Sequence, residues 1–344
     1  MRILIVSPLG KTITPTSRYV GIERLVYEFS KELAKEHEVA VLGHADSIFA
    51  KDVTNFPTKP LPGEEFLLDE LRQYRDWQWV YRFYDVIHDF SHQHLASRYM
   101  PNLPSLNLFW HAPALAQYPK APYNIIGLSK WACREFKRVY HQEAKYQYSV
   151  CIDTDLYKPL EKAKRSDRFL SVGRMGEEKG NLNSAILCKE LGLPLDILTA
   201  RAGLPNEPYS PYEKQVMQLA DGKDIKIWWE KDYTEDSKIK MMQTCKALLY
   251  VTDHPEVTNH KVQEAMLCGA PIIAPKIGAL PEIVTHGEDG LLCADENEYL
   301  EALKTVDKLP PLPNPDIKER FGIEKVVADY LPIYEQVALG MRWK

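Results

Sequence analysis

Phe169-Leu170-Ser171-Val172-Gly173-Arg174-Met175-Gly176-Glu177-Glu178-Lys179-Gly180 joins a short apolar run to a turn holding three glycines and two cations. The apolar run predicts a β-strand, and the glycine turn marks its C-terminal end. Comparable runs follow at 195–199, 225–228, 248–251 and 272–274, with helical patterns between them. Alternation of this kind predicts a parallel sheet built from βα units. An earlier series has the same form, with strands expected at 3–7, 38–43, 86–90, 106–110 and 125–129. A helix is expected over 22–35, where Ile22, Leu25, Val26, Phe29 and Leu33 share one face. Another is expected over 130–140, with Ser129 as its N-cap. Residues 44–63 are irregular and Pro-bearing and read as a long loop. The charged stretch 157–167 reads as a linker between the two series.

The fold expected is therefore α/β, with two Rossmann-like domains over residues 1–158 and 159–322 facing across a cleft. In such sheets ligands bind at the C-terminal strand ends. A last helix, 323–337, follows the second series, so residues 323–344 are expected to pack back on the first domain.

The bulk numbers narrow the function classes. The chain has 344 residues, 45% of them hydrophobic and 26% charged, with a formal net charge of -5. That balance suits a two-domain globular protein and disfavours nucleic acid as a partner. The six cysteines stand far apart without a CxxC pair, so neither a zinc site nor a disulfide framework is expected. No segment is apolar for the length that a bilayer requires, and Arg2-Ile3-Leu4-Ile5-Val6 opens the chain as a strand, so a cytoplasmic location is expected.

The dinucleotide fingerprint G-x-G-x-x-G is absent after the first strand, and the three glycines of 173–180 have the wrong spacing for it. Walker A is absent as well. Arg174 and Lys179, one turn apart at a strand end, suit a diphosphate, and the same spacing suits a solvated surface turn. A second group runs from Asp253 to Pro271. Glu256 lies in its loop, a helix is expected to start near Asn259 or His260, and Glu264 follows one turn later. A helix N-terminus offers free N–H groups to phosphate, and the two acids can accept hydrogen bonds from sugar or ribose hydroxyls. Two acids around a helix start are equally what a solvated loop and a dipole-complementing helix would show.

The order of these pieces resembles the retaining GT-B glycosyltransferases of family 4. Glu256 and Glu264 are similar to that family's E-x7-E element, continued by Ala265-Met266-Leu267-Cys268-Gly269-Ala270-Pro271. Gly278-Ala279-Leu280-Pro281-Glu282-Ile283-Val284 resembles its usual continuation, and Gly173-Arg174 with Glu178-Lys179-Gly180 its diphosphate loop. Upstream, Gly21-Ile22-Glu23-Arg24, Asp85-Val86-Ile87-His88 and Phe109-Trp110-His111 resemble its first-domain motifs. The resemblance implies transfer of a sugar from a nucleoside diphosphate sugar to a hydroxyl of a sugar, lipid-linked or small-molecule acceptor. It implies that Arg174 and Lys179 hold the diphosphate, Glu256 meets the donor sugar, and Glu264 takes the ribose. Asn259 and His260 open the donor-facing helix, Gly21 lets a loop approach, and His111 sits beside the reacting sugar. No cofactor and no metal are implied. The rival readings are a GT-B-like nucleotide-sugar epimerase and a non-catalytic nucleotide-sugar-binding protein.

The chain departs from the family pattern at Val20 and at Trp229, and across Val257, Thr258, Asn259 and His260, where glycines are usual. Trp228 and Trp229 read either as base-stacking or as core residues. Arg134, Lys137, Arg138 and Lys145 form a small basic cluster, read either as a weak membrane-surface contact or as a solvated helix face.

Overall fold

The computed structural model describes residues 1–14, 21–61, 66–110, 122–161, 164–201, 207–310 and 316–343. The chain divides into two units, Met1–Asp153 with Phe321–Lys344, and Thr154–Arg320. Unit 1 is built on seven strands: β1 (Arg2–Val6), β2 (Glu38–His44), β3 (Val53–Thr58), β4 (Val86–Asp89), β5 (Ser105–Phe109), β6 (Ile125–Gly127) and β7 (Lys145–Tyr146). All pair in parallel, in the order β3-β2-β1-β4-β5-β6-β7. Ile3, Leu4, Ile5, Val41, Leu42, Val86 and Ile87 are wholly buried, as central strands covered on both faces require. The helices are α1 (Ile22–Leu33), α2 (Phe66–Trp77), α3 (Leu95–Tyr99) and α4 (Lys130–Tyr140). Ser129 caps α4, accepting the Ala132 N–H at 3.0 Å.

Unit 2 has six parallel strands: β8 (Phe169–Val172), β9 (Leu195–Thr199), β10 (Ile225–Trp229), β11 (Leu248–Leu249), β12 (Ile272–Pro275) and β13 (Gly290–Cys293). Their order is β10-β9-β8-β11-β12-β13. Its helices are α5 (Asn181–Glu190), α6 (Pro211–Leu219), α7 (Glu235–Thr244), α8 (His260–Leu267), α9 (Leu280–Ile283) and α10 (Glu296–Thr305), with α11 (Asp316–Phe321) at its end. Phe169, Ile197, Leu249 and Ile273 anchor one core under this sheet.

The final helix, α12 (Ile323–Ala338), belongs to unit 1. Its Tyr330 meets Phe29 of α1 edge-on at 5.2 Å, and its Tyr334 hydroxyl bonds His88 Nδ1 at 2.7 Å. Tyr330, Tyr334 and Val337 are fully buried there.

Three sequence expectations need correction. Residues 44–63 are not all loop, because β3 lies within them, paired with β2 from Val39↔Val53 to His44↔Thr58. It is an edge strand, so Pro57 is tolerated and burial is too sparse to leave a periodic signal. Residues 157–167 are not the linker as a whole. Tyr157 is buried in unit 2, and the chain crosses between units after Asp153. The strands β7 and β13 and the helices α2 and α3 lie outside the elements expected from sequence. β7 is two residues long, β13 four and α3 five, too short for either periodicity to register.

Candidate functional site

From β8 the chain of unit 2 moves outward through β9 and β10, then returns to β11 on the other side of β8. The gap between β8 and β11 is thus a topological switch point, where neighbouring loops diverge and leave room at the C-terminal strand ends. The loops 173–180 and 250–259 both leave the sheet at this point. They touch at Gly180, whose φ is +65° and where a Cβ would fall 1.9 Å from the Val251 carbonyl oxygen. Only glycine satisfies both conditions.

Glu256 is the centre of the hydrogen bonding. Lys179 Nζ bonds its Oε1, while Tyr250 Oη and Asn259 Nδ2 donate to its Oε2 at 3.0 and 2.6 Å. Its backbone is held too, since Ala279 N–H donates to the Glu256 carbonyl at 3.0 Å. The preceding Gly278, at φ +59°, lies so close that a Cβ there would be 2.7 Å from that oxygen. Asn259 also accepts the Val262 N–H at 3.1 Å and so caps α8. One side chain therefore starts the helix and fixes the acid. In the stretch where glycines were expected, Val257 is buried and Asn259 is this cap.

Arg174 stands in the same turn with its side chain half exposed, bonded to Glu178 Oε1 at 2.6 Å. The carbonyl of Glu178 in turn accepts from Thr252 Oγ1 at 3.1 Å. The Glu178 carboxyl titrates below its usual range: burial raises it, and the bond to Arg174, a backbone hydrogen bond and the charges of Arg174 and Lys179 together more than offset this.

Glu264, inside α8, lies 3.2 Å from Lys238 Nζ of α7 and 3.3 Å from Lys261 Nζ. Burial would raise its pKa, but Lys238, Lys261 and His260 bring it down to about 2, so it is a fixed anion. Lys238 also bonds Glu235 at 2.6 Å and the Tyr157 hydroxyl at 2.8 Å. Burial, followed by the Lys261 charge, pushes His260 down to about 4, which keeps its imidazole neutral at pH 7. His260 Nε2 and Thr258 Oγ1 are buried without a hydrogen-bond partner. Buried polar atoms of this kind are costly, and these two flank the Asn259 cap in sequence.

The structure thus brings together Lys179, Glu256 and Asn259, while Arg174 lies on the outer side of the turn, bonded to Glu178. Glu264 has its own partners. Gly21 lies in unit 1, exposed at the start of α1, with open space around it. His111 lies outside the described residues. Sequence reasoning missed Tyr250, Lys238, Glu235 and Tyr157. Lys261, three residues before Glu264 on a helix, was readable from spacing. Lys238 left no local signal, since it reaches Glu264 only through the packing of α7 on α8. Trp228 is tied to Asp196 Oδ1 at 3.0 Å, and Trp229 packs against the core. Of the four cations in the basic cluster, Lys137 is paired with Glu143 and Arg138 with Glu135. Among the described residues no group of His, Cys, Asp or Glu could hold a metal, and no helix is long and apolar enough to cross a membrane.

Residues 153–319 match the family model of the glycosyl transferases group 1. The match covers β8 to β13 and every site residue of unit 2. Within curated proteins, N-acetyl-alpha-D-glucosaminyl L-malate synthase of Bacillus anthracis is 31% identical over 83 residues, 22% of each chain. A probable sucrose-phosphate synthase of Thermosipho melanesiensis is 29% identical over 139 residues, 38% of this chain and 32% of that one. The chain therefore spans well under half the length of these relatives. Solved structures align along nearly all of it. Anabaena HepE in complex with UDP-glucose gives a TM-score of 0.71 at 17% identity, over 97% of this chain and 100% of that one. At that identity the likeness establishes the fold, the two-unit GT-B plan, which the group 1 segment completes with its six-stranded sheet.

Proposed function

We propose that the protein is a glycosyltransferase of family 4 that moves a sugar from a nucleoside diphosphate sugar to an acceptor hydroxyl with retention. The observation that carries this is the Lys179–Glu256–Asn259 cluster at the switch point of unit 2, capping α8 beside two unpartnered buried polar atoms. The group 1 match over this segment supports it, as does the structural likeness to a protein solved with UDP-glucose.

In the transition state negative charge builds on the leaving diphosphate. Lys179, Arg174 and the N-terminus of α8 at His260 are fixed positive charge and dipole for it, without a metal. A diphosphate that draws Lys179 towards itself leaves Tyr250 and Asn259 holding the Glu256 carboxylate for the sugar hydroxyls. Glu264, anionic throughout, accepts from the ribose. His111 and Gly21 are assigned by resemblance to the reacting sugar and the approaching loop. Among the described residues no carboxylate stands out as a nucleophile, so a front-face route is preferred, with the leaving phosphate assisting acceptor deprotonation. The setting we infer is cytoplasmic, where thiols stay reduced.

Nucleotide release from UDP-, GDP- and ADP-sugars, with and without acceptors, tests the reading. Lys179→Ala is expected to lower kcat/KM about a hundredfold or more, the scale of a lost charge-stabilising donor. Full turnover in Lys179→Ala and Glu256→Ala would overturn the site. Tight nucleotide-sugar binding without turnover would make the protein a binding protein instead.

A further inference from the structure

Next to Glu264 lies a buried lysine that the transfer chemistry leaves without a part. Lys238, near the start of α7, is 4% exposed. It shares the buried side of α7 with Ile239 and Met242, where the helical period calls for an apolar residue. An ammonium has three N–H donors and no acceptor. Here all three meet oxygen: Glu235 Oε1 at 2.6 Å, the Tyr157 hydroxyl at 2.8 Å and Glu264 Oε2 at 3.2 Å. The Tyr157 hydroxyl donates in turn to Glu235 Oε1, so lysine, tyrosine and acid close a ring. Glu235 stands one turn before Lys238 on the same helix, and Tyr157 comes from the segment ahead of β8. Two anchors thus fix the ammonium, and its third proton is directed at Glu264.

Burying an ammonium costs several kcal/mol unless it is paired, and an apolar side chain in its place would carry no such cost. What the charge does is therefore to be sought at Glu264. That acid also bonds Lys261, at 3.4 Å from Oε1 and 3.3 Å from Oε2. Lys261 is about a quarter exposed, whereas Lys238 is sealed from water. The groups around Glu264 are then Lys238 and Glu235 from α7 and His260, Lys261 and Cys268 along α8, with Lys179 acting on His260 beside it. His260 is neutral, and burial pushes the Cys268 thiol up, so neither adds charge at pH 7. Two lysines against Glu235 and Glu264 leave the cluster neutral. It adds little to the field that a diphosphate meets, and its effect is local. Burial raises the Glu264 carboxyl, and Lys238 is foremost among the groups that oppose this.

We propose that Lys238 is a positioning residue of the proposed donor site: it grips one oxygen of Glu264 from the protein interior, holds the carboxylate oriented and charged, and so keeps the site selective for the ribose of a nucleoside diphosphate at acid as well as neutral pH. The inference rests on the donor-site reading. An ionised carboxylate only accepts, whereas a protonated one carries a donor and accepts less. A ribose hydroxyl donating to Glu264 makes a charge-assisted bond while the acid is ionised and loses that strength on protonation. Lys238 touches neither sugar nor phosphate and acts through Glu264. Its signature is discrimination between ribonucleotides and deoxyribonucleotides that stays constant with pH.

The test is titration calorimetry on the full chain with UDP, ADP and GDP and with their 2′-deoxy and 3′-deoxy counterparts, at pH 8, 7, 6 and 5. The quantity read is the ratio of deoxy to ribo Kd, in which titration of the diphosphate itself cancels. Wild type is expected to give a ratio of about tenfold or more, flat over this range, the scale of one hydrogen bond to a charged group. Lys238→Met keeps an unbranched side chain and removes the charge. Its ratio is expected to fall severalfold at pH 5 and less at pH 8, because a Glu264 carboxyl freed to rise protonates as pH drops. Lys238→Arg restores a cation and should return the flat ratio. A lysine that only supported the fold would weaken ribo and deoxy nucleotides alike and leave the ratio unchanged. Tyr157→Phe, which removes one anchor of the ammonium, is the second variant should Lys238→Met fail to fold, with a ratio lowered about threefold. A wild-type, pH-flat ratio in Lys238→Met, or in Tyr157→Phe where only that variant folds, would overturn the proposal. So would a wild type that does not distinguish ribo from deoxy. Nucleotide binding and sugar turnover with an unchanged ratio in the variants sinks this inference alone. No binding of any of the three diphosphates sinks the donor-site reading, and this inference with it. Discrimination lost in Lys238→Met, in a protein that transfers no sugar, sinks the transferase reading and leaves Lys238 in its role.

Discussion

Glu264 is held ionised by Lys238 and Lys261 at 3.2 and 3.3 Å, and its pKa falls from 4.5 to about 2. A carboxyl depressed on folding stabilises the protein above its unfolded pKa and loses that contribution as pH falls through the folded one. Glu264→Gln is therefore expected to cost about 3 kcal/mol at pH 7, because two lysines lose a buried partner. Urea unfolding at pH 7, 4.5 and 3 should show the gap to wild type closing on the acid side. A gap that stays constant down to pH 3 would contradict the assignment. Asp89 has the opposite sign. Burial raises its pKa from 3.8 to about 7, so its folded form costs stability as pH climbs from about 4 to 7. Asp89→Asn should gain stability over wild type at pH 8 and show no gain near pH 4, read from urea midpoints. Equal midpoints at pH 8 would mean that the acid is not buried at a cost.

At the scale of elements, the proposed donor site depends on two loops touching through one glycine and on one helix cap. Gly180→Ala places a Cβ on the Val251 carbonyl oxygen in a left-handed backbone. The conformational cost alone is about 1 kcal/mol or more, and the clash must also push the loop bearing Lys179 away from β11. Loss of nucleotide-sugar affinity together with a lowered Tm is the expected result, and a variant with wild-type affinity would show that the two loops are independent. Asn259→Ala removes the α8 cap, about 1 kcal/mol of stability, and one of the two neutral donors to Glu256. Its donor KM should rise even at temperatures where the protein is fully folded. Asn259→Ser, which restores a cap but cannot reach Glu256 in the same way, should recover Tm more than KM.

At the scale of the molecule, unit 1 is discontinuous in sequence, completed by the last helix after the chain has built unit 2. Tyr330, Tyr334 and Val337 are fully buried against unit 1, at roughly 2 kcal/mol for each large side chain. A chain ended at Arg320 thus loses a large share of the stability that a domain ordinarily has. Hydrogen exchange should show β1, β2 and β4 losing protection while β8, β9 and β12 keep theirs. Equal protection in the shortened chain would mean that α12 only decorates a self-sufficient unit.

The sequence by itself determined the class of fold and the motif on which the proposed donor site rests. Central strands of a parallel sheet are apolar on both faces, so each writes a contiguous run, and a helix N-terminus with its cap and acids lies within a dozen residues. These are local signals, and 169–172, 195–199, Ser129 and Asn259 carried them. What lies far apart in sequence could be decided only by the tertiary structure. The edge strand β3 has too little burial to leave a period, and α2 buries Asp69 and Glu70 and exposes Leu67, Leu68 and Leu71, so a hydrophobic pattern read alone puts its faces the wrong way round. The pairing of Lys238 with Glu264, of Lys179 with Glu256, and of α12 with α1 depends on which elements the sheet order brings side by side. Burial then sets the charge state: Glu264 and Asp89 are both carboxyls. One is held anionic by two lysines and the other is pushed towards neutrality, and no spacing in the sequence distinguishes them.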